Sequence, residues 1–188
     1  MVKDISLLAP QFTVSAAAPL NKDNLIKNSI TKICEFAGTP IGEYDGEVIY
    51  AFPKAEQIQK LSQEQWDGIK LGYREKYIKK TVDMIVNQEI DIAKLPSLDT
   101  LEAQKELMKL SGVGEKVADC ILLFSMAKYD AFPMDTWMKK VMQRYYPDES
   151  MGNIRRVRSL GVELFGSFAG IAQQYLFYYE REQSKRRK

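Results

Sequence analysis

Apolar side chains recur at helical spacing in separate segments of the chain, whereas strand-like alternation is confined to one short stretch. An amphipathic pattern covers residues 24–36, and a longer one covers residues 74–87. The same pattern, with start and stop signals at its ends, predicts the remaining helices: 53–61, a short helix after residue 62, 100–110, 115–127, 136–146, 154–165 and 169–181. The pattern therefore indicates a mostly α protein.

Short polar signals mark where several of these elements begin. Asp45-Gly46 lies between strand-forming residues and predicts a two-residue turn of a small β-hairpin. Ser62, with Gln65 three residues later, has the spacing of a capping box. Asp135 precedes an apolar helical segment and is expected to cap that helix. The predicted architecture is therefore a helical body in two lobes that carries one β-hairpin.

The chain is expected to form a single domain over residues 1–188, since no internal repeat or linker divides it. Residues 1–23 give no clear pattern, because Pro10 interrupts their apolar residues. Residues 182–188 form a basic tail, and residues 107–120 contain a glycine-rich connection between two helices.

The composition removes several classes of chemistry. Among 188 residues there is no histidine, which excludes zinc sites built on histidine and all Ser-His-Asp and Cys-His hydrolases. The two cysteines are too few for an iron–sulfur cluster, which takes four. Any catalysis must therefore come from Lys, Asp, Glu, Tyr, Ser or Cys side chains.

Charge and hydropathy give weaker indications. The net charge is only +2, but the positive charges are unevenly distributed. Arg155, Arg156 and Arg158 cluster in one predicted helix, and a second cluster of four basic residues ends the chain. Such a patch suits a polyanion, although charge alone favours an ordinary solvated helix face. No apolar run approaches the roughly 20 residues that span a bilayer, and no secretory signal opens the chain. The expected location is cytoplasmic (nucleoid-associated) in a prokaryote or nuclear in a eukaryote, with no membrane partner.

The most informative stretch joins two helices through the pattern Leu-x-Gly-Val-Gly. Leu110 and Val113 are expected to pack between the helices, while Gly112 and Gly114 tolerate positive φ and bring bare backbone to the surface. Peptide N–H groups at the start of the next helix can then bind a phosphate without reading sequence. The alternative is an ordinary helical hairpin with a glycine cap, which a lone Gly-x-Gly favours.

Two ionisable residues follow this connection. Lys116 lies two residues after Gly114, at the start of an otherwise apolar helix, and a neutral lysine amine is a nucleophile that can form a Schiff base. Asp135 lies about twenty residues later, in Phe-Pro-Met-Asp. A helix-capping carboxylate that faces a cleft can also stabilise a developing sugar cation.

Together these motifs resemble those of the 8-oxoguanine DNA glycosylase/AP lyase family, within the helix–hairpin–helix DNA glycosylase superfamily. The resemblance extends from about residue 50 to residue 177, or roughly two thirds of the chain. It rests on four motifs: Leu-Gly-Tyr-Arg at residues 71–74, Gly-Val-Gly-x-Lys-Val-Ala-Asp-Cys at 112–120, Phe-Pro-x-Asp at 132–135 and Gly-x-Ala-Gln…Phe at 170–177.

The resemblance implies a catalytic pair. Lys116 is similar to the family's Schiff-base nucleophile, and Asp135 is similar to its catalytic aspartate. The implied activity is excision of an oxidised purine, 8-oxoguanine, from double-stranded DNA, followed by strand nicking through β-elimination. This reaction requires no metal or organic cofactor, and the enzyme is expected to act as a monomer.

The resemblance also implies how the damaged base is held once it is flipped out of the duplex. Cys120 and Phe177 look like the pair that sandwiches the base, and Gln173 looks like the residue that reads its Watson–Crick edge. Tyr73 looks like the aromatic wedge beside the lesion, and Arg74 is expected to contact the DNA together with Gly112, Val113 and Gly114. Without the resemblance, Cys120 and Phe177 are equally well explained as core residues.

The chain departs from the family pattern in three places. Family members usually carry an N-terminal β-rich domain, for which this sequence has no room. The segment Ser15-Ala16-Ala17-Ala18-Pro19 carries no amide where the family has an asparagine-rich segment, and Trp137 stands where histidine is common. These departures keep two alternatives open: a glycosylase for another damaged base, and a non-catalytic DNA-binding module.

Overall fold

The computed structural model describes residues 23–147 and 152–186, with side chains from residue 27 onward. The alanine-rich segment at residues 15–19 therefore lies outside the described residues. Two short strands are present: β1 (Pro40–Tyr44) and β2 (Glu47–Tyr50). The α-helices are α1 (Asp23–Ala37), α2 (Ala55–Ile58), α3 (Gln63–Ile69), α4 (Glu75–Val86), α5 (Thr100–Leu107), α6 (Glu115–Ser125), α7 (Thr136–Tyr145), α8 (Ile154–Phe165) and α9 (Ala169–Arg186). Short 3₁₀ turns cover Gly72–Arg74, Ile92–Ser97 and Gly166–Phe168.

The predicted β-hairpin is confirmed. β1 and β2 pair antiparallel, with Tyr44 opposite Glu47 across the turn. Asp45 and Gly46 both adopt positive φ, at 52° and 80°, as a type I′ turn requires. The hairpin contributes nothing to the core, because its side chains are exposed except for the half-buried Tyr50.

Polar caps fix the starts of several helices. The capping box of α3 is complete: the Ser62 hydroxyl accepts from the backbone N–H of Gln65, and the Gln65 side chain accepts from the backbone N–H of Ser62. Asp99 caps α5 in the same way, through a 2.8 Å bond from the backbone N–H of Glu102. Because each cap satisfies a donor that the helix leaves unpaired, these residues determine where the helices begin.

Two hydrophobic cores divide the described residues into two lobes. The first lobe, residues 23–131, packs helices α1–α6 around an aliphatic core in which Ile33, Leu107 and Ile121 are almost completely buried. The second lobe, residues 132–147 and 152–186, packs α7–α9 around Phe132, Met138, Met142 and Val157. The mostly α, two-lobed architecture with one small hairpin is thus confirmed.

The lobes meet along a closely packed seam. The backbone N–H of Gly170, at the start of α9, donates to the carbonyl of Tyr129 over 2.7 Å. A Cβ at Gly170 would overlap the carbonyl oxygen of Ala131, and within the second lobe one at Gly161 would lie 2.6 Å from the ring of Phe132. Both glycines therefore permit α8 and α9 to approach the chain that leaves the first lobe.

The structure corrects the ends of two predicted helices and adds a turn that was not predicted. Helix α6 ends at Ser125 rather than at residue 127, because Ala127 adopts a left-handed conformation with φ of 53°. Helix α9 continues to Arg186 rather than ending at residue 181, and its last turn carries an ion pair between Lys185 and Glu182. The 3₁₀ turn at Ile92–Ser97 was missed because Pro96 and a short apolar run give no helical period.

Within the described ranges, none of the helices combines the length and the apolar character that crossing a membrane would require.

Candidate active site

The connection between α5 and α6 forms a fixed hairpin at the surface. Leu110 and Val113 are buried, with 2% and 6% exposure, as the spacing predicts. Gly112 adopts φ of 78°, and a Cβ there would lie 3.0 Å from the Cβ of Tyr77. The hydroxyl of Thr81 also donates to the carbonyl of Ser111 over 3.1 Å. Helix α4 therefore packs against the hairpin and holds it in place through Tyr77 and Thr81.

Only one of the two glycines uses left-handed backbone. Gly114 has an ordinary φ of −100° and is the N-cap of α6, where no side chain caps the first turn. It is exposed, and no atom lies within 4 Å of the Cβ position at Gly114. Its role is therefore to leave the N-terminus of α6 uncovered. Because the Val113 side chain is buried, only its backbone can face a ligand.

Lys116, Cys120 and Asp135 are near one another where the two lobes face each other. Lys116 and Cys120 are one turn apart on α6, and Asp135 immediately precedes α7. The pKa of the Cys120 thiol is raised, chiefly by burial; the Lys116 ammonium opposes this rise, and the Asp119 and Asp135 carboxylates add to it. Lys116, from the first lobe, and Asp135, from the second, both lie close enough to Cys120 to influence the pKa of its thiol.

Asp135 combines its position at the seam with a capping role. Its Oδ1 atom accepts from the backbone N–H of Met138 over 2.6 Å, as the sequence predicted for a helix cap. The carboxylate is half-buried, and the preceding residues 131–134 are buried. The cap therefore fixes the orientation of a negative charge at the start of α7.

Gln173 and Phe177 lie one turn apart on α9, in the second lobe. Gln173 is 4% exposed; its Nε2 donates to the carbonyl of Pro133 over 3.1 Å, and its Oε1 accepts from Gln174 over 2.5 Å. Phe177 is half-buried, and its ring packs edge-on against Trp137 with centroids 4.9 Å apart. Trp137, noted in the sequence as a departure, thus supports the Phe177 ring.

Tyr73 and Arg74 lie on the first lobe beside the hairpin. Tyr73 is 63% exposed, whereas Arg74 is 8% exposed and holds its guanidinium 4.4 Å from the centre of the Tyr73 ring. Tyr77 packs edge-on against Tyr73 with centroids 6.3 Å apart. Arg74 and Tyr77 therefore brace an aromatic ring that projects into solvent.

The arginine cluster of α8 is not a free basic patch. Arg155 pairs with Glu115 at 2.7 Å, Arg156 with Glu163 at 2.8 Å, and Arg158 with Asp119 at 2.7 Å. Each positive charge therefore has an acidic partner, and two of these partners belong to α6 in the other lobe. The Arg155 side chain nevertheless stays 77% exposed, whereas that of Arg158 is only 14% exposed, so only Arg158 is withdrawn from the surface.

Comparisons with known proteins agree with this geometry. A probable N-glycosylase/DNA lyase of Methanothermobacter thermautotrophicus is 39% identical over 111 residues, covering 59% of this chain and 35% of the relative. An N-glycosylase/DNA lyase of Arabidopsis thaliana is 33% identical over 164 residues, covering 80% of this chain and 45% of the relative. No protein-family model matches the chain.

A solved structure makes the decisive match. The 8-oxoguanine glycosylase/lyase of Clostridium acetobutylicum, in complex with double-stranded DNA containing cytosine opposite 8-oxoguanine, superposes with a TM-score of 0.84 at 42% identity. The match covers 96% of this chain and 61% of that protein. The chain belongs to the 8-oxoguanine DNA glycosylase/AP lyase family. It spans about 35 to 61% of the length of these family members.

The family motif contains Asp119 together with Lys116 and Cys120, but the sequence analysis gives Asp119 no role. Asp119 is completely buried and binds Gln104 and Arg158. The available signal was an acidic residue inside the apolar run of α6, which needs a buried partner. Sequence reasoning could not identify that partner, because Arg158 lies 39 positions away.

Proposed function

We propose that this chain is a bifunctional DNA glycosylase/AP lyase that removes 8-oxoguanine from double-stranded DNA. The observation that carries the proposal is that Lys116, on the first lobe, and Asp135, on the second, both lie close enough to the buried Cys120 thiol to influence its pKa. The named activities of the family members described above support the same reaction. The whole-enzyme activity is proposed because the chain covers only part of their length.

The proposed reaction begins with attack by the Lys116 amine on C1′ of the damaged nucleotide. A carbon–nitrogen bond forms as the N-glycosidic bond breaks, and the base leaves with the bonding electrons and takes up a proton. The sugar then opens to a Schiff base with Lys116. Loss of a proton from C2′ expels the 3′ phosphate and nicks the strand.

Asp135 stabilises the positive charge that develops on the sugar during this attack. Its carboxylate is held in place by the cap bond to the Met138 backbone, so little reorganisation is needed when the charge appears. Because Asp135 and Lys116 come from different lobes, their separation depends on how the lobes meet.

The flipped base is proposed to lie between Cys120 and Phe177, with its edge against Gln173. Burial holds the Cys120 thiol neutral by raising its pKa, which gives the base a polarisable, uncharged surface. The contact with Trp137 fixes the opposing Phe177 ring. Gln173 is fixed by the bonds to Pro133 and Gln174, so its amide is preorganised for one edge pattern.

The hairpin between α5 and α6 is proposed to bind the DNA backbone. The exposed N-terminus of α6 and the bare backbone at Gly112 and Gly114 provide peptide N–H groups for a phosphate. Tyr73 is proposed to wedge beside the vacated position, since stacking tolerates any base. The burial of Arg74 beneath the Tyr73 ring favours an indirect contribution of Arg74 to DNA binding, through support of that ring.

The test is borohydride trapping on duplexes that carry different lesions. Borohydride reduces a Schiff base to a stable protein–DNA adduct, so the wild type should cross-link to 8-oxoguanine DNA and Lys116→Gln should not. Lys128→Gln is a matched control, because Lys128 belongs to the same lobe but follows α6. An undiminished adduct in Lys116→Gln would refute the nucleophile assignment.

The same assay separates the two alternatives. Trapping on another damaged base, with none on 8-oxoguanine, would indicate a glycosylase of different lesion preference. Binding without trapping on any duplex would indicate a non-catalytic DNA-binding module. Sedimentation of the protein alone and with duplex tests the further proposal that it acts as a monomer on DNA.

A further inference from the structure

A buried carboxylate, that of Asp119, lies on the same helix as the proposed nucleophile Lys116. The side chain of Asp119 is 1% exposed, and that of Arg158 is 14% exposed. Arg158 donates from Nε to Asp119 Oδ2 over 2.7 Å and from its terminal nitrogen to Oδ1 over 2.8 Å. Gln104, on α5, donates to the same Oδ1 over 2.6 Å. The carboxylate is therefore held by its own lobe and by the other lobe at once.

The helical spacing places this pair beside the catalytic face of α6. Lys116 and Cys120 are four residues apart and share one face, and Glu115 and Asp119 share the neighbouring face, about 100° away. Glu115 and Asp119 pair with Arg155 and Arg158, which are three residues apart on α8. Two ion pairs thus join one face of α6 to one face of α8 across the seam.

Stability alone does not account for a buried pair at this position. Removing two charges from water costs several kcal/mol per ion, and replacing such a pair by apolar residues is often neutral or stabilising. Burial indeed raises the pKa of Asp119, although the Arg158 and Gln104 bonds act against that rise. The pair instead fixes the orientation of α6 relative to α8, because a planar guanidinium binds a carboxylate in a fixed orientation.

The geometry points to Asp119 and Arg158 as positioning residues that set the rotation of α6 relative to the second lobe. They thereby set the distance between Lys116 and the groups of the second lobe, Asp135 and Phe177. This inference rests on the proposed glycosylase function. Neither positioning residue touches the substrate; both act through the helix that carries Lys116.

A loss of positioning has a specific kinetic signature. A displacement of about 1 Å between reacting groups can lower a rate about 100-fold. Binding of the duplex depends mainly on phosphate contacts at the hairpin, which the Asp119–Arg158 pair does not touch. Breaking the pair should therefore lower the excision rate and leave the duplex dissociation constant unchanged.

The experiment replaces the pair with apolar residues of similar size, Asp119→Leu together with Arg158→Met. This double variant removes both charges, so neither is left unpaired inside the protein. We expect it to fold, to bind an undamaged duplex within about threefold of wild type, and to excise 8-oxoguanine at least about tenfold more slowly in single-turnover conditions. Glu163→Leu with Arg156→Met is the matched control, because it removes an exposed ion pair within α8; its rate should equal that of wild type.

A second variant keeps the inference testable if the double variant does not fold. Arg158→Lys retains the charge but cannot form the two-pronged bond, so we expect a folded protein with a rate between those of wild type and the double variant. A wild-type rate in either folded variant would overturn the positioning role. Wild-type protein that excises no lesion would instead refute the proposed function, so the two failures are distinguishable.

Discussion

The two lobes are packed with different kinds of side chain. The core of the first lobe is almost entirely aliphatic and includes Ile33, Leu107 and Ile121. The core of the second lobe is richer in methionine and aromatic residues, and in it Met138 and Phe132 are completely buried. Branched aliphatic side chains define one packing arrangement, whereas methionine adapts to irregular surroundings. The first lobe is thus expected to hold its backbone in one arrangement, and the second to accommodate more irregular packing around its core.

The proposed functional groups follow the same division. The first lobe carries the hairpin glycines and the proposed nucleophile Lys116, and the second carries Asp135, Gln173 and Phe177. Each lobe alone therefore holds an incomplete site. The proposed division of roles between the lobes can be tested with paired substitutions. Each pair makes the same change at a functional position and at a control position, and the excision rate, the stability or the DNA binding of the two variants is compared.

The largest effect is expected from replacing the helix-capping aspartate of the second lobe by asparagine, with the same replacement at a cap of the first lobe as the control. Asp135→Asn should lower the excision rate about 100- to 1,000-fold, because the amide keeps the cap but loses the charge that stabilises the sugar cation. Asp99→Asn makes the same change at the cap of α5 in the first lobe, and its rate should match wild type. Single-turnover excision and thermal melting measure both effects. Equal rates in the two variants would remove Asp135 from the mechanism.

The second prediction compares a glycine at the seam with one inside the first lobe. Gly170→Ala should destabilise the protein by about 1–3 kcal/mol, because the new methyl group overlaps the Ala131 carbonyl, a backbone atom that cannot easily move. Gly68→Ala, on α3, meets only the ring of Phe36 at 3.3 Å and should be neutral or slightly stabilising. Urea titration measures both. A neutral Gly170→Ala would show that the seam is loosely packed.

The third prediction concerns binding at the hairpin. Gly114→Val should weaken binding to lesion and undamaged duplexes alike, by about tenfold, or 1.4 kcal/mol, because a branched side chain covers the N-terminus of α6. Gly42→Val, in β1, adds the same side chain at another glycine with open space around it and should leave binding unchanged. Titration at fixed salt measures both. A loss confined to lesion DNA would assign the hairpin another role.

The smallest effect is expected in thiol reactivity. Burial raises the pKa of Cys120 above the ordinary 9.0, so the folded thiol stays protonated as pH rises past the point where the unfolded thiol ionises. Between pH 7 and 9, iodoacetamide should therefore alkylate Cys120 more slowly in the folded protein than in urea. With lesion duplex bound to Lys116→Gln, Cys120 should be protected further while Cys34, on α1, is unchanged. Site-resolved mass spectrometry measures both cysteines, and faster alkylation in the folded protein would contradict the expectation.

The helices and caps of both lobes could be predicted because their signals are local. Ser62 and Gln65 mark the start of α3 within four residues. Asp45-Gly46 specifies the turn between β1 and β2, because both residues readily adopt positive φ. The ends of α6 and α9 were predicted less well, because no glycine or proline marks them and tertiary contacts decide where they stop.

The sequence predicts members of the candidate site, but it does not predict the residues that support them. Lys116 and Asp135 lie in recognisable motifs, whereas the contact of Trp137 with Phe177 and the bond of Arg158 to Asp119 join residues about 40 positions apart. Nothing local encodes such pairs, since they arise only when the lobes pack. The same reason explains why the sequence could not show that Arg155 and Arg158 pair with acidic residues on α6.

The bonding of Gln173 has a consequence for how a base is told apart from its near relatives. A carboxamide has two N–H donors and two acceptor lone pairs, and here one donor is engaged by Pro133 and one lone pair by Gln174. One donor and one acceptor remain, in an order that the side chain cannot reverse without breaking both anchors. Under the proposed function, a base with the opposite order would leave buried groups unmatched and would be expelled rather than accommodated. Selectivity would then arise from the energetic cost of leaving buried polar groups unpaired when the wrong base binds. It would not require a conformational change of the protein.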